Sequence, residues 1–293
     1  DDGRARCRDR ALIPSLRIAP AGAAHLAADP EAPHTAWFEG AREQLQVATS
    51  AAGLGIDLTG PQARVVASTD ELRTLLGALE AAGSPHAAGL RRFLEPVAGW
   101  KLRTRTLSLD SPLVMGILNL TADSFSGDGV GNDIDAALRR AAELRANGAD
   151  IIDVGAESAR ADRPVLVEAE EAELVGRTIE RLVGEGHVVS SDTYKPAVAI
   201  AALAAGAELV NDISGLTLGT GAAEAAGRAG TGYVLNYSYS VPKRRPDAPP
   251  VYADVTAETV AWMEQRLAEL AAAGLAREAI AIDPGIAFGK SHD

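Results

Sequence analysis

The chain has 293 residues, 47% of them hydrophobic, with a formal net charge of -12. That length allows one large domain, or one medium and one small. The acidic balance argues against a nucleic-acid surface, the single cysteine, Cys7, excludes a disulfide framework or a multi-cysteine metal site, and no apolar run reaches the length of a membrane span.

Residues 1–34 are rich in Ala, Pro, Arg and Asp without periodicity, and read as a flexible lead-in. Arg4, Arg6, Arg8 and Arg10 precede no apolar run, so nothing near the start resembles a secretory signal and a cytoplasmic setting is expected. Residues 35–105 read as a small α/β extension. Residues 36–52 fit a helix with Phe38, Ala41, Leu45 and Ala48 on one face, and 64–67 a short strand. Ser68 and Glu71 match a capping box ahead of a helix that buries Leu72, Leu75, Leu76 and Leu79 and stops at Gly83. His34 and His86 stand alone and read as surface or capping residues.

From Leu113 the pattern becomes strict alternation of apolar strand and amphipathic helix. Strands are predicted at 113–119, 149–154, 188–191, 208–210, 233–235 and 279–282. Helices are predicted at about 133–147, 167–184 and 255–273, and after Pro196. Alternation of this kind gives a parallel sheet. No G-x-G-x-x-G follows the first strand, as a doubly wound nucleotide binder would require. Each strand instead exits on polar residues: Asn119, Asp192, Asn211, Asn236 and Asp283, with Glu157 three residues past the second strand. That arrangement predicts a (β/α)₈ barrel with its chemistry at the C-terminal strand ends. Six of the eight βα units are present, so the barrel, spanning 106–293, is expected to be truncated after strand six. Lys195 and Lys290 read as solvated side chains.

Several of these exits resemble the motifs of dihydropteroate synthase, a pterin-binding barrel family. The matching stretches are Met115-Gly116-Ile117-Leu118-Asn119-Leu120-Thr121-Ala122-Asp123-Ser124-Phe125-Ser126, Asp150-Ile151-Ile152-Asp153-Val154-Gly155-Ala156-Glu157-Ser158 and Ser191-Asp192-Thr193-Tyr194-Lys195-Pro196. Val210-Asn211-Asp212-Ile213-Ser214-Gly215 and Asp283-Pro284-Gly285-Ile286-Ala287-Phe288-Gly289-Lys290 follow in family order. The resemblance implies condensation of 4-aminobenzoate with 6-hydroxymethyl-7,8-dihydropterin diphosphate, releasing diphosphate. It implies substrate-binding roles for Asp192, Asn211, Ile213, Asp283 and Phe288, the last beside the 4-aminobenzoate ring. It implies catalytic roles for Asn119, Arg160 and Asp192, with Asn119 also the ligand of Mg²⁺. Partners are the two small substrates and a second copy in a homodimer, with no nucleic acid and no membrane.

Departures from the family pattern are local. Ala122 replaces a proline, and residues 156–162 keep Glu157, Ser158 and Arg160 but lose a threonine, a proline and both glycines. Asn236-Tyr237-Ser238 stands where the family tends to Met-His-Met. The lysine of a seventh strand and the Ser-His-Arg motif of an eighth have no counterpart. These changes favour an alternative, a pterin-binding paralogue or regulatory subunit without synthase activity. A methyl-tetrahydrofolate:corrinoid methyltransferase, a further pterin-binding barrel, would not need the 119–126 loop, so the sequence argues against it.

Overall fold

The computed structural model describes residues 34–95, 97–121, 131, 133–157, 166–239, 250–286 and 290, and the backbone of 16–20. The chain divides into two compact units, Asp1–Pro96 and Val97–Asp293.

In the first unit, β1 (Leu16–Pro20), β2 (His34–Phe38) and β3 (Ala63–Ala67) form an antiparallel sheet in that order. The helices are α1 (Arg42–Ala51), α2 (Thr69–Ala81) and α3 (Ala87–Leu94). Residues 36–38 are therefore strand and not helix. Pairing of His34 with Ala67 through Phe38 with Ala63 buries His34, Ala36 and Phe38 on a period of two. Gly40 and Ala41 then take positive φ (76° and 49°), which breaks the chain direction before α1 begins. The capping box forms as expected, Glu71 N–H donating to Ser68 Oγ and Ser68 N–H to Glu71 Oε2 at 2.7 Å. Both histidines are buried and not at the surface. His34 Nε2 pairs with Thr69 Oγ1 at 3.0 Å, and His86 Nε2 with the Gly40 carbonyl at 3.1 Å.

The second unit opens with a hairpin, β4 (Gly99–Lys101) and β5 (Thr106–Ser108). Six parallel strands follow: β6 (Met115–Asn119), β7 (Ile151–Gly155), β8 (Val189–Asp192), β9 (Leu209–Asp212), β10 (Gly232–Asn236) and β11 (Ile280–Asp283). Between them run α4 (Ile134–Ala146), α5 (Glu168–Gly184), α6 (Pro196–Ala204), α7 (Gly221–Ala229) and α8 (Val255–Ala272). Spatial order equals sequence order from β6 to β11. A doubly wound sheet would reverse direction at a switch point; this sheet winds one way, as barrel staves do.

Alternate residues on these strands serve two cores. Leu118, Ile152, Val154, Val189, Val210, Tyr233 and Leu235 pack outward with the helices. Ile151, Leu209 and Val234 pack on the other face with Trp100 and Leu102 of the hairpin. The hairpin is held there by Trp100 Nε1–H donating to the Ala279 carbonyl at 2.9 Å and Thr104 N–H donating to Glu208 Oε2 at 2.8 Å. At Gly232 an added Cβ would stand 2.7 Å from Leu102 Cδ2 and 3.0 Å from Leu209 Cβ, so the hairpin packs closely over this glycine. Among the described residues no helix is long and apolar enough to cross a membrane.

Candidate active site

Beyond the apolar layer sealed by the hairpin, the same strands turn polar. Asp153 is buried in the middle of β7 and accepts from Asn211 Nδ2 at 2.8 Å, while its Oδ1 meets no partner among the described residues. Burial raises its carboxyl above the usual range, and the Ser190 hydroxyl and the Asn211 amide work against that rise. Asp192, at the end of β8, is the register partner of Asn211. Its carboxylate leans over β7, where a Cβ on Gly155 would lie 3.1 Å from Asp192 Oδ2. Burial and the nearby carboxylates of Asp153, Asp212, Glu171 and Glu157 hold Asp192 well above the ordinary carboxylate range. Asp153 and Asp192 together resist carrying two negative charges and favour partners that donate hydrogen bonds.

Three strands beyond Asp192, at the end of β11, Asp283 closes the row. Its Oδ1 accepts from Gly285 N–H at 2.8 Å and its Oδ2 from Asn236 Nδ2 at 3.3 Å. Gly285 has φ of 62°, and a Cβ there would meet the Tyr237 carbonyl at 2.3 Å, so the Asp-Pro-Gly turn that aims Asp283 needs glycine. Asn211 and Asp212 divide two jobs. Asp212 is the turn residue, accepting from Ser214 N–H at 2.7 Å and from the Tyr233 hydroxyl at 2.8 Å, which leaves Asn211 to the site. Ile213 follows in that turn, half-buried.

Asn119 ends β6 in register with Gly155. Two residues on, Thr121 Oγ1 is buried with no partner among the described residues. These are hard oxygen donors of the kind Mg²⁺ accepts, and a sparse set suits an ion that keeps waters and shares phosphate oxygens. No cluster of three His, Cys, Asp or Glu that could cage a metal occurs among the described residues. Arg160 and Phe288 lie outside the described residues.

Sequence reasoning passed over Asp153, whose signal was a carboxylate inside an otherwise apolar strand. It also misplaced Lys195, while Lys290 stays partly exposed. Lys195 is 8% exposed and donates to Glu157 and Glu171 at 2.5 Å each. Burial alone would lower its pKa, but the two glutamates raise it instead. Lys290 lies 3.6 Å from the Tyr237 ring centroid and donates to the Pro284 carbonyl at 2.6 Å.

A family model described as pterin binding enzyme matches residues 115–293. Dihydropteroate synthase of Neisseria meningitidis serogroup C is 37% identical over 195 residues, 66% of this chain and 68% of that protein. The Escherichia coli K12 enzyme is 38% identical over 187 residues, 64% of this chain and 66% of its own. Burkholderia cenocepacia dihydropteroate synthase complexed with 7,8-dihydropteroate matches with a TM-score of 0.58 and 38% identity, over 66% of this chain and 65% of that one. For Yersinia pestis dihydropteroate synthase with a sulfonamide drug the values are 0.61 and 37%, over 66% and 69%. The chain spans about two thirds of the length of these relatives. With the same row of strand-exit carboxylates and amides that its sequence motifs marked out, this chain belongs to the pterin binding enzyme family, among the dihydropteroate synthases.

Proposed function

We propose that the chain condenses 4-aminobenzoate with 6-hydroxymethyl-7,8-dihydropterin diphosphate to give dihydropteroate and diphosphate, a step of folate biosynthesis. The observation that carries this reading is the row of acceptors and amides within and at the ends of neighbouring strands: Asp153 with Asn211, Asp192, and Asn236 with Asp283. A flat pterin presents ring N–H and amino donors along one side, and leaving such groups unpaired in a buried site costs about 1–3 kcal/mol each. Asp192 and Asp283 accept from those donors, and Asn211 both donates and accepts. Ring donors arriving at Asp192 also offset the repulsion from its neighbouring carboxylates.

In the reaction the C–O bond between the pterin methylene and diphosphate breaks, and the amine of 4-aminobenzoate forms a C–N bond to that carbon and loses a proton. The protein's task is to fix the methylene between the departing oxygen and the incoming nitrogen. Asn119, with Thr121 beside it, would hold Mg²⁺, which neutralises the leaving diphosphate when bound. Arg160 would pair with an anionic oxygen, and Ile213 and Phe288 would line the rings. A homodimer in the cytoplasm completes the reading.

The replacements in 156–162 favour a second reading, pterin binding without turnover. One experiment separates the two. The chain is mixed with both substrates and Mg²⁺, and diphosphate and dihydropteroate are measured beside pterin affinity. Product formation that falls with Asn119→Ala, most of all in its Mg²⁺-dependent part, supports the synthase. Tight pterin binding with no product selects the second reading, and no pterin binding removes both.

A further inference from the structure

One ammonium group that the proposed chemistry leaves unused joins the exits of β7 and β8. Lys195 Nζ donates to Glu157 Oε2 and Glu171 Oε2 at 2.5 Å each and to the Leu166 carbonyl at 3.2 Å. Three acceptors thus meet its three N–H bonds. Glu157 accepts twice more, from the Tyr194 hydroxyl at 2.7 Å and from Leu166 N–H at 3.2 Å. Glu157 lies just past β7, and Leu166 and Glu171 lie at the entry to α5. Tyr194 and Lys195 lie two and three residues past Asp192, between β8 and α6. The whole network therefore ties the segment leaving β8 to those leaving β7 and entering α5.

Buried ion clusters of this kind are poor stabilisers, since well-packed apolar residues of similar volume often do as well or better. What the cluster holds is more telling than what it contributes to the fold. Its two acidic members bear on Asp192 electrostatically. The space into which Asp192 leans is narrow, since a Cβ on Gly155 would stand 3.1 Å from its Oδ2.

We propose that Lys195 is a positioning residue for Asp192: by fixing the exit of β8 against the exit of β7, it sets where the Asp192 carboxylate stands over Gly155. This rests on the reading of Asp192 as a pterin acceptor. A carboxylate moved out of reach leaves a buried pterin donor unpaired, which weakens binding by roughly 5- to 150-fold.

The test uses the full chain and compares dissociation constants for the pterin diphosphate and for 4-aminobenzoate. Lys195→Met alone leaves two buried glutamates uncompensated, so the deciding variant is the pair Lys195→Met/Glu171→Leu, which removes opposite charges together. Its pterin constant is expected to rise roughly 10- to 100-fold, with the 4-aminobenzoate constant within about twofold of wild type. An unchanged pterin constant in the folded pair overturns the proposal, and so does an equal rise in both constants. If the pair does not fold, Tyr194→Phe carries the test: it removes one bond from Glu157 and no charge. The pterin constant should then rise about 2- to 10-fold, and no rise overturns the proposal. A wild-type chain that binds no pterin defeats the functional reading itself, and this proposal with it; a wild type that binds, beside variants that bind equally well, defeats only the role of Lys195.

Discussion

The two halves of the parallel strands follow opposite rules. At the hairpin end, Ile151, Leu209 and Val234 close on Trp100 and Leu102 in a dry layer. Two residues further along β7 and β9, the same face carries Asp153 and Asn211, and β10 and β11 end on Asn236 and Asp283. The first half supplies apolar burial. The second half is expensive, because it gathers carboxylates that repel one another and keeps buried polar atoms that meet no partner among the described residues. Stability and recognition are thus separated by two residues along a strand, and substitutions can tell them apart.

The largest expected effect lies in the dry half. Leu209→Ala should cost about 2–5 kcal/mol of stability, read from urea unfolding, because a fully buried leucine leaves a cavity. Pterin affinity of the folded fraction should stay within about twofold. A parallel loss of affinity would mean that the two halves are one unit. Next comes Asp192→Asn, which should act in opposite directions on the two properties. Its pterin affinity should fall by about 1–3 kcal/mol, as an acceptor is replaced by an amide.

Its melting temperature at neutral pH should rise by about 2–4 °C for each kcal/mol of repulsion removed. The sign follows from proton linkage. Folded Asp192 keeps its proton to higher pH than the unfolded chain does. Its penalty is therefore absent below the ordinary carboxylate pKa, grows as pH rises above that value, and is complete once the raised folded pKa is passed. Below about pH 4 the gain in Asp192→Asn should vanish. A variant no more stable than wild type at neutral pH would show that Asp192 is not strained. The smallest effect belongs to neither half. Glu173 and Arg177 on α5 are exposed and 3.6 Å apart, and Glu173→Ala should change stability by less than about 0.5 kcal/mol, the baseline for the other two.

How much of this could be read from the chain depended on whether a residue's partner was near it in sequence. The strands of the second unit showed as apolar runs with polar exits, and the capping box at Ser68 and the turn after Asp283 were local enough to read directly. Residues 36–38 carried a helical spacing that strand pairing with 63–67 overrode. The 99–108 hairpin went unseen because its strands are short and its anchoring bond runs from Trp100 to Ala279. Lys195 was misjudged for the same reason, since Glu157 and Glu171 lie 38 and 24 residues away. The candidate site was legible as a set of exits. Its internal pairings, Asn211 with Asp153 and Asn236 with Asp283, were not, because they depend on register between strands far apart in the chain.

The one-way winding from β6 to β11 has a bearing on how the molecule comes into being. Each new strand, as it leaves the ribosome, finds its docking edge already laid down by the one before it, so assembly can keep pace with synthesis. The hairpin is the exception. Thr104 must wait 104 residues for Glu208, and the indole of Trp100 waits 179 for its acceptor at Ala279, so the earliest piece of the second unit is fastened in stages by strands made long after it.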